Sequence, residues 1–353
     1  MSDSRATSPL PPILRLLAPP LAAVYGRIID SRNRAFDAGR GVVEIDRPVV
    51  SVGNLSVGGT GKTPMVAWIV GELLEAGFVP AIAMRGYSKG GGSDEAEEYR
   101  ARFPRVHVVA QADRLEGLIR HFETPEGARC NCVVLDDGFQ HRRIARQLEI
   151  VLIDSSRDPF TDRLLPAWWL RESVESLGRA DFVVLTHAEA VSEAVLAHME
   201  RDVRRVAPQA RIALAAHKWV GLTIADRESE RAEAVGWLRG KRVLAACGIG
   251  NPRPFLDAVK RATGTPPTEF IRPDHDPFVP RTLAELLRVA GEMHADAIVT
   301  TEKDWSKLKR VKPEAWPCPV ARAQLKMGFL RGDEELREAL FEAADSQNTA
   351  GEQ

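Results

Sequence analysis

Val49-Val-Ser-Val-Gly-Asn-Leu-Ser-Val-Gly-Gly-Thr-Gly-Lys-Thr-Pro-Met65 decides the fold of this chain. The run opens apolar and β-branched, turns through a glycine cluster and leaves as a helix. Gly58, Gly59 and Gly61 let the backbone wrap so that several N–H groups point inward, a concavity that suits anions. Lys62 adds a positive charge for β- and γ-phosphates, and the Thr63 hydroxyl is placed for Mg²⁺. Met65, Val66, Ile69, Val70 and Leu73 are the apolar positions of the helix that follows. Its N-terminus contributes a partial positive charge, and Pro64 sits in the first turn, where no N–H is missed. A strict G-x-x-x-x-G-K-[ST] pattern needs glycine at position 56, and this chain has Ser56. The strand–turn–helix context supports the assignment better than the bare pattern does. Ser56, Val57, Gly58, Gly59, Thr60, Gly61, Lys62 and Thr63 are therefore expected to hold a nucleoside triphosphate. The plainer alternative is a glycine turn with a coincidental Gly-Lys-Thr.

Around this stretch, 353 residues are enough for about two domains. A hydrophobic content of 44% supplies a sizeable core. A net charge of −1 argues against a nucleic-acid binder. Cys130, Cys132, Cys247 and Cys318 make no metal-ligand spacing and are too few for a disulfide scaffold, so they read as idle thiols. No run of 18 or more uncharged apolar residues could span a bilayer. The N-terminal apolar region is broken by Pro11, Pro12, Arg15, Pro19 and Pro20, which argues against a cleavable signal.

Leu21, Val24, Tyr25, Ile28 and Ile29 recur on one helical face. Residues 1–40 carry six Arg against three Asp. Such a helix either packs on the protein's own core or lies in an anionic bilayer surface. Beyond the glycine loop, strands are expected at Pro80–Met84, Val106–Ala110, Cys132–Leu135, Leu148–Ile153, Phe182–Thr186 and Arg211–Ala215, alternating with helical patterns. That alternation predicts an α/β fold, a P-loop NTPase-like, mostly parallel sheet with helices on both faces. Residues 223–234 mix charges of both signs and read as an exposed connection. A smaller C-terminal α/β domain then follows, with strands at Arg242–Cys247 and Ala295–Thr301, and a further candidate at Ala321–Leu325. The expected division is 1–40 as a disordered start and amphipathic helix, 41–222 as the P-loop domain, and 223–240 as a connection. Residues 241–343 form the smaller domain closing over the nucleotide, and 344–353 a disordered tail.

Ligands in such sheets bind at the carboxyl ends of strands. Asp136 and Asp137 follow an apolar strand, where a Mg²⁺-reaching carboxylate or a helix N-cap would stand. Gly138-Phe139-Gln140-His141-Arg142-Arg143 follows directly, and its cationic cluster could meet phosphate or form a solvated face. Asp94 and Glu95 lie in an acidic, glycine-rich segment that could supply a base or simply be solvated. Asp274-His275 is a weak pair that gains interest only if brought to the phosphates. Trp168 and Trp169 sit between Arg163 and Arg171, which suits either a lipid interface or a core.

Taken together, Ser51–Thr63, Arg85-Gly-Tyr87, Leu135-Asp-Asp-Gly-Phe-Gln-His-Arg142, Arg163-Leu-Leu-Pro-Ala167, Leu170-Arg-Glu172 and Pro273-Asp-His275 resemble the tetraacyldisaccharide 4′-kinase family of Gram-negative bacteria, in order, from about residue 13 to residue 330. The resemblance implies a kinase using ATP and Mg²⁺ that phosphorylates the 4′-hydroxyl of a tetraacylated glucosamine disaccharide 1-phosphate in lipid A synthesis. It implies a peripheral protein on the cytoplasmic face of the inner membrane, held there by the N-terminal helix and expected to act as a monomer. By position, Lys62 and Thr63 would hold phosphate and metal, and Asp94 would be the base, paired with His275. Glu95, Asp136, Asp137 and Glu172 would support metal and site geometry, and Arg114 and Arg171, with Glu172 beside them, would face substrate or phosphate. The chain departs from the family pattern at Ser93-Asp94-Glu95-Ala96, where Gly-Asp-Glu-Pro is usual, and at Trp168-Trp169, where a small residue is usual. A rival class, the P-loop ATPase switches of partitioning and metal insertion, carries a signature lysine just before the two glycines; here that residue is Val57. A GTPase is a second rival. Thr301-Glu302-Lys303-Asp304 resembles a guanine-reading motif, but its Lys and Asp adjoin instead of being one residue apart.

Overall fold

The computed structural model describes residues 17–86, 94–227, 229–274 and 276–346, with residue 94 described by its backbone alone. The chain forms two compact units, residues 1–216 with 329–353, and residues 217–328.

In the first unit, helix α1 (Ala18–Asp37) precedes strand β1 (Val49–Asn54), helix α2 (Lys62–Glu75) and strand β2 (Pro80–Met84). Then come α3 (Asp94–Arg102), β3 (His107–Ala110), α4 (Arg114–Phe122), β4 (Cys132–Asp136), β5 (Leu148–Asp154), β6 (Phe182–Thr186) and α5 (Glu193–Val206). The amino-terminal part of β7 (Arg211–Ala225) is the last strand of this unit before the chain enters the second one. The strand order is β7-β6-β5-β1-β4-β2-β3, and each pairing is parallel. Strands β1, β2, β4, β5 and β6 are buried along their whole length. Apolar runs without alternation are what a parallel sheet covered on both faces requires. Val109, Leu115, Leu118 and Ile144 belong to one core cluster of this unit, and Leu177, Leu196, Met199 and Val203 to another. β1 lies between β4 and β5, so the ends of these three strands, and the loops leaving them, meet at one place. That is the switch point where open α/β sheets bind ligands.

The second unit holds the rest of β7, β8 (Glu230–Glu233), β9 (Val243–Cys247), α6 (Arg253–Thr263), β10 (Thr268–Ile271), α7 (Pro280–Glu292), β11 (Ala297–Thr300), α8 (Glu302–Leu308) and most of β12 (Val320–Arg331). Its order is β10-β9-β11-β12-β7, with β8 antiparallel on β7. Leu244, Phe270, Leu286, Ile298 and Trp305 form one of its cores. Helix α9 (Asp333–Asp345) closes the chain within the first unit, where Arg337 Nε meets Glu72 of α2 at 2.7 Å.

The residues expected as a charged connection form a hairpin. Asp226 N–H donates to Ser229 O at 3.1 Å and the Asp226 carboxylate accepts from Ser229 N–H at 3.0 Å. Asp side chains that bond their own backbone favour such turns. The acidic segment at 94–95 opens a helix instead of a loop, because Ala96 and Tyr99 fall one turn apart and are both fully buried. Of the tail expected at 344–353, Ala344 and Asp345 belong to α9 instead, and 347–353 lie outside the described residues. Among the described residues no helix is long and apolar enough to cross a membrane.

Candidate active site

β1 ends at Asn54, and this residue organises the loop that follows. Its Nδ2 donates to Ser56 O at 2.7 Å and to Thr60 Oγ1 at 2.9 Å, while its Oδ1 accepts from Lys62 Nζ at 3.3 Å. Gly61 caps α2 with φ of 83°, a left-handed conformation that side-chain-bearing residues rarely adopt. The loop is held from outside as well. Val57 N–H donates to Trp169 O at 2.9 Å, Arg171 N–H donates to Leu55 O at 2.7 Å, and Thr186 Oγ1 donates to Thr60 O at 2.9 Å. The segment from 164 to 171 is thus fastened to the glycine loop by backbone bonds.

At the end of β4, Asp136 is buried and Asp137 sits at φ of 53°. Such a residue persists only where its surroundings over-determine it. Here Arg114 Nη1 donates to Asp137 O at 2.9 Å and Gly138 N–H donates to Val52 O at 2.9 Å. β1 can come this close because Gly53 has no Cβ; one built there would run into Phe139. The turn aims Asp137 at two cations: Lys62 Nζ at 3.5 Å and Arg171 Nη1 at 2.8 Å. Gln140 joins them, accepting from Arg171 Nη1 at 3.3 Å and donating from Nε2 to Asn54 O at 2.9 Å.

Burial works to raise the Asp137 carboxyl, but Lys62 and Arg171 outweigh it and hold it below its usual value. Burial pushes Asp136 up to about 6, against the pull of Lys62 and with help from Glu95 and Asp137. Neighbouring carboxylates with opposite shifts are a mark of functional sites. Asp136 Oδ2 accepts from Tyr99 at 3.1 Å, whereas its Oδ1 is buried without a hydrogen-bond partner. An orphaned buried carboxylate oxygen, a threonine at the start of α2 and a second aspartate are hard oxygen donors of the kind Mg²⁺ takes. Among the described residues no three His, Cys, Asp or Glu side chains converge on one point. Mg²⁺ needs fewer, since it keeps waters and shares phosphate oxygens.

The remaining expected residues divide. Lys62, Asp136, Asp137, Arg114 and Arg171 come together, and Glu95 is close enough to act on Asp136. Glu172 is fully buried, accepting from Asn33 Nδ2 at 2.8 Å and Arg179 Nη2 at 2.9 Å, so it braces the segment from beneath and offers no face to substrate. The basic run after Phe139 is also spent on structure. Arg142 binds Asn33 O and Asp37, Arg143 binds Asp113, and burial, with Arg114 next, pushes His141 down to about 4. His275 and the side chain of Asp94 lie outside the described residues; Asp274 faces Lys303 Nζ at 3.5 Å within the second unit. The same unit buries Asp304 of the guanine-like motif, which accepts from Gly248 N–H at 3.0 Å and Thr301 Oγ1 at 2.7 Å. That aspartate is engaged by its own loops.

Asn54, Gln140 and Tyr99 escaped the sequence reading. Asn54 was legible in principle, as a polar residue ending an apolar strand just before glycines. Nothing local marks Tyr99.

A glycine loop between β1 and α2, a lysine opening the helix and a carboxylate pair ending the adjacent parallel strand define a P-loop nucleoside-triphosphate-handling protein. Similarity to known proteins narrows the class. The chain belongs to the tetraacyldisaccharide-1-P 4′-kinase family, whose model matches residues 14–344. It is 34% identical to the tetraacyldisaccharide 4′-kinase of Chlorobium luteolum over 359 residues, 93% of this chain and 97% of that protein. Against the enzyme of the same name from Porphyromonas gingivalis it is 34% identical over 311 residues, 82% of this chain and 85% of that one. Its fold is similar to that of LpxK from Aquifex aeolicus, solved in complex with ATP, with a TM-score of 0.69 and 28% identity over 94% of this chain and 99% of that one.

Proposed function

We propose that this chain transfers the γ-phosphate of ATP to the 4′-hydroxyl of a tetraacylated glucosamine disaccharide 1-phosphate, the step of lipid A biosynthesis for which its family is named. The observation that carries the reading is the convergence of Lys62 Nζ on Asn54 Oδ1 and Asp137 Oδ1 at the mouth of the glycine loop. A lysine so placed already has carboxylate as an anionic partner, and incoming phosphate oxygens replace that partner with a stronger one. Backbone N–H groups of Gly58 to Thr63 and the α2 N-terminus add fixed positive potential. Arg171, now paired with Asp137, is free to turn toward charge that builds up during transfer. Thr63, Asp136 and Asp137 would hold Mg²⁺, with Glu95 beside them. When bound, Mg²⁺ neutralises phosphate charge.

Asp94 would accept the proton of the sugar hydroxyl, with His275 orienting it, and the second unit would close over the nucleotide. Arg114 keeps the Asp137 turn in shape through its carbonyl. A substrate with four acyl chains stays in a bilayer, so the protein would meet it there through α1, on the cytoplasmic face of the inner membrane. Leu21, Val24 and Ile28 form an exposed apolar stripe on that helix, with Arg27 and Arg32 beside it. Apolar stripes flanked by arginine suit an anionic lipid surface.

Transfer of label from γ-labelled ATP to the lipid disaccharide tests the reading. Lys62→Ala should slow it by about 10²–10³-fold and Asp94→Ala by about 10²–10⁴-fold. A wild-type chain that hydrolyses ATP without labelling the lipid defeats the proposal.

A further inference from the structure

Tyr99 enters the site so far only as the hydrogen-bond donor to Asp136. It lies on α3 four residues after Glu95, hence on the same helical face. Its ring is fully buried, in a place that phenylalanine would fill. A phenolic hydroxyl is costly to bury unless it meets a partner, and here the partner is Asp136 Oδ2 at 3.1 Å. An aspartate has two oxygens. With Oδ2 occupied, Oδ1 is the one left over, buried and without a hydrogen-bond partner.

We propose that Tyr99 is a positioning residue for phosphoryl transfer, its hydroxyl locking the Asp136 carboxylate so that Oδ1 is presented to the Mg²⁺–nucleotide complex. The terminal torsion of an aspartate is broad, so a carboxylate without a second anchor turns about it. The same hydrogen bond ties α3, which begins with Asp94 and Glu95, to the end of β4. One contact thereby sets the proton-accepting segment and the metal-facing carboxylate in register. This inference rests on the reading of Asp136 given under the proposed function.

Tyr99→Phe deletes one oxygen and keeps the ring. ATP binding to the full chain is measured by calorimetry with and without Mg²⁺, alongside kcat and KM for lipid phosphorylation. Loss of an outer-shell partner of a ligating group costs about 10–100-fold in metal affinity or activity. The gain in ATP affinity on adding Mg²⁺ should therefore shrink about tenfold, and kcat should fall about tenfold, with KM for the lipid unchanged. In an Asp136→Asn background, Tyr99→Phe should have no further effect on the Mg²⁺ gain. This cycle also separates the hydroxyl's role from a general loss of packing. A Tyr99→Phe chain with the wild-type Mg²⁺ gain overturns the proposal and leaves the Asp136 reading standing. An undiminished further loss in the Asp136→Asn background overturns it too. A wild-type chain whose ATP affinity ignores Mg²⁺ overturns both readings.

Discussion

Helices α1 and α2 of the first unit look alike as patterns and are used in opposite ways. α2 buries one apolar face: Met65, Val66, Ile69, Val70 and Leu73 are all inaccessible to solvent. α1 buries Ala18, Ala22, Gly26 and Asn33, and leaves Leu21, Val24 and Ile28 exposed by 49%, 54% and 61%. Its inner face is small because it packs tightly on the segment beside the glycine loop; a Cβ on Gly26 would stand 2.9 Å from Leu164 Cδ1. Ala18 and Ala22 meet Ala167, with Leu164 and Trp168 alongside. Apolar periodicity tells that a face needs cover, and the cover differs in the two cases. For α2 it is the parallel sheet. For α1, Leu21, Val24 and Ile28 face away from the protein, which is the orientation a lipid surface would use.

The sharpest way to break this contrast is to truncate one isoleucine on each helix. Ile69→Ala leaves a hole in the core and should cost about 3 kcal/mol of unfolding free energy. Ile28→Ala removes an exposed group and should change stability by no more than about 0.5 kcal/mol. Denaturant melts of the two variants read both numbers. Equal losses would mean that the α1 stripe is packed against protein, and the lipid reading would lose its basis.

The strands and the glycine loop were legible because their signals are local. Alternation of apolar runs with helical patterns does not depend on distant contacts, and the run at Cys132–Leu135 pointed straight at Asp136 and Asp137. What was not legible depends on long-range contact. Asp136 and Asp137 look equivalent in sequence, yet Tyr99 binds one from 37 positions away and Arg171 binds the other from 34. Glu172 sits in a motif beside Arg171 and was expected to face substrate; the strand-like pairing of Leu170 with Ser56 turns it inward, to Asn33. The α1 face was read as Leu21, Val24, Tyr25, Ile28 and Ile29 together. The structure splits that set, because the Tyr25 hydroxyl donates to Arg171 O at 2.9 Å. One helix turn thus serves two faces.

That split would make deletion of residues 1–36 a blunt test, since it removes the exposed apolar stripe and Tyr25, Arg32 and Asn33 at once. Replacing Leu21, Val24 and Ile28 with serine touches the stripe alone. Binding to vesicles containing anionic phospholipid should fall at least about tenfold, as expected from three partly inserted apolar groups. ATP affinity should stay at the wild-type value, because none of the three residues takes part in the bonds by which Arg32 reaches Gln140 O, Tyr25 reaches Arg171 O and Asn33 reaches Glu172. Unchanged vesicle binding would detach α1 from the membrane and return its stripe to a partner of another kind.

The smallest expected effect lies on the inner face. Asn33→Ala keeps the helix and its stripe but deletes the amide that Glu172 accepts from, leaving Arg179 as the side chain still bonded to a fully buried carboxylate. A hydrogen bond to a buried charge is worth about 1.5–3 kcal/mol, and the surviving ion pair to Arg179 should hold the loss near the lower end. Because Glu172 follows Arg171 directly, the loosened carboxylate also frees the arginine that pairs with Asp137. Asn33→Ala should therefore lower kcat several-fold while vesicle binding stays intact, the reverse of the serine variant. If both variants lose the same property, α1 acts as a single surface and the division of its two faces fails.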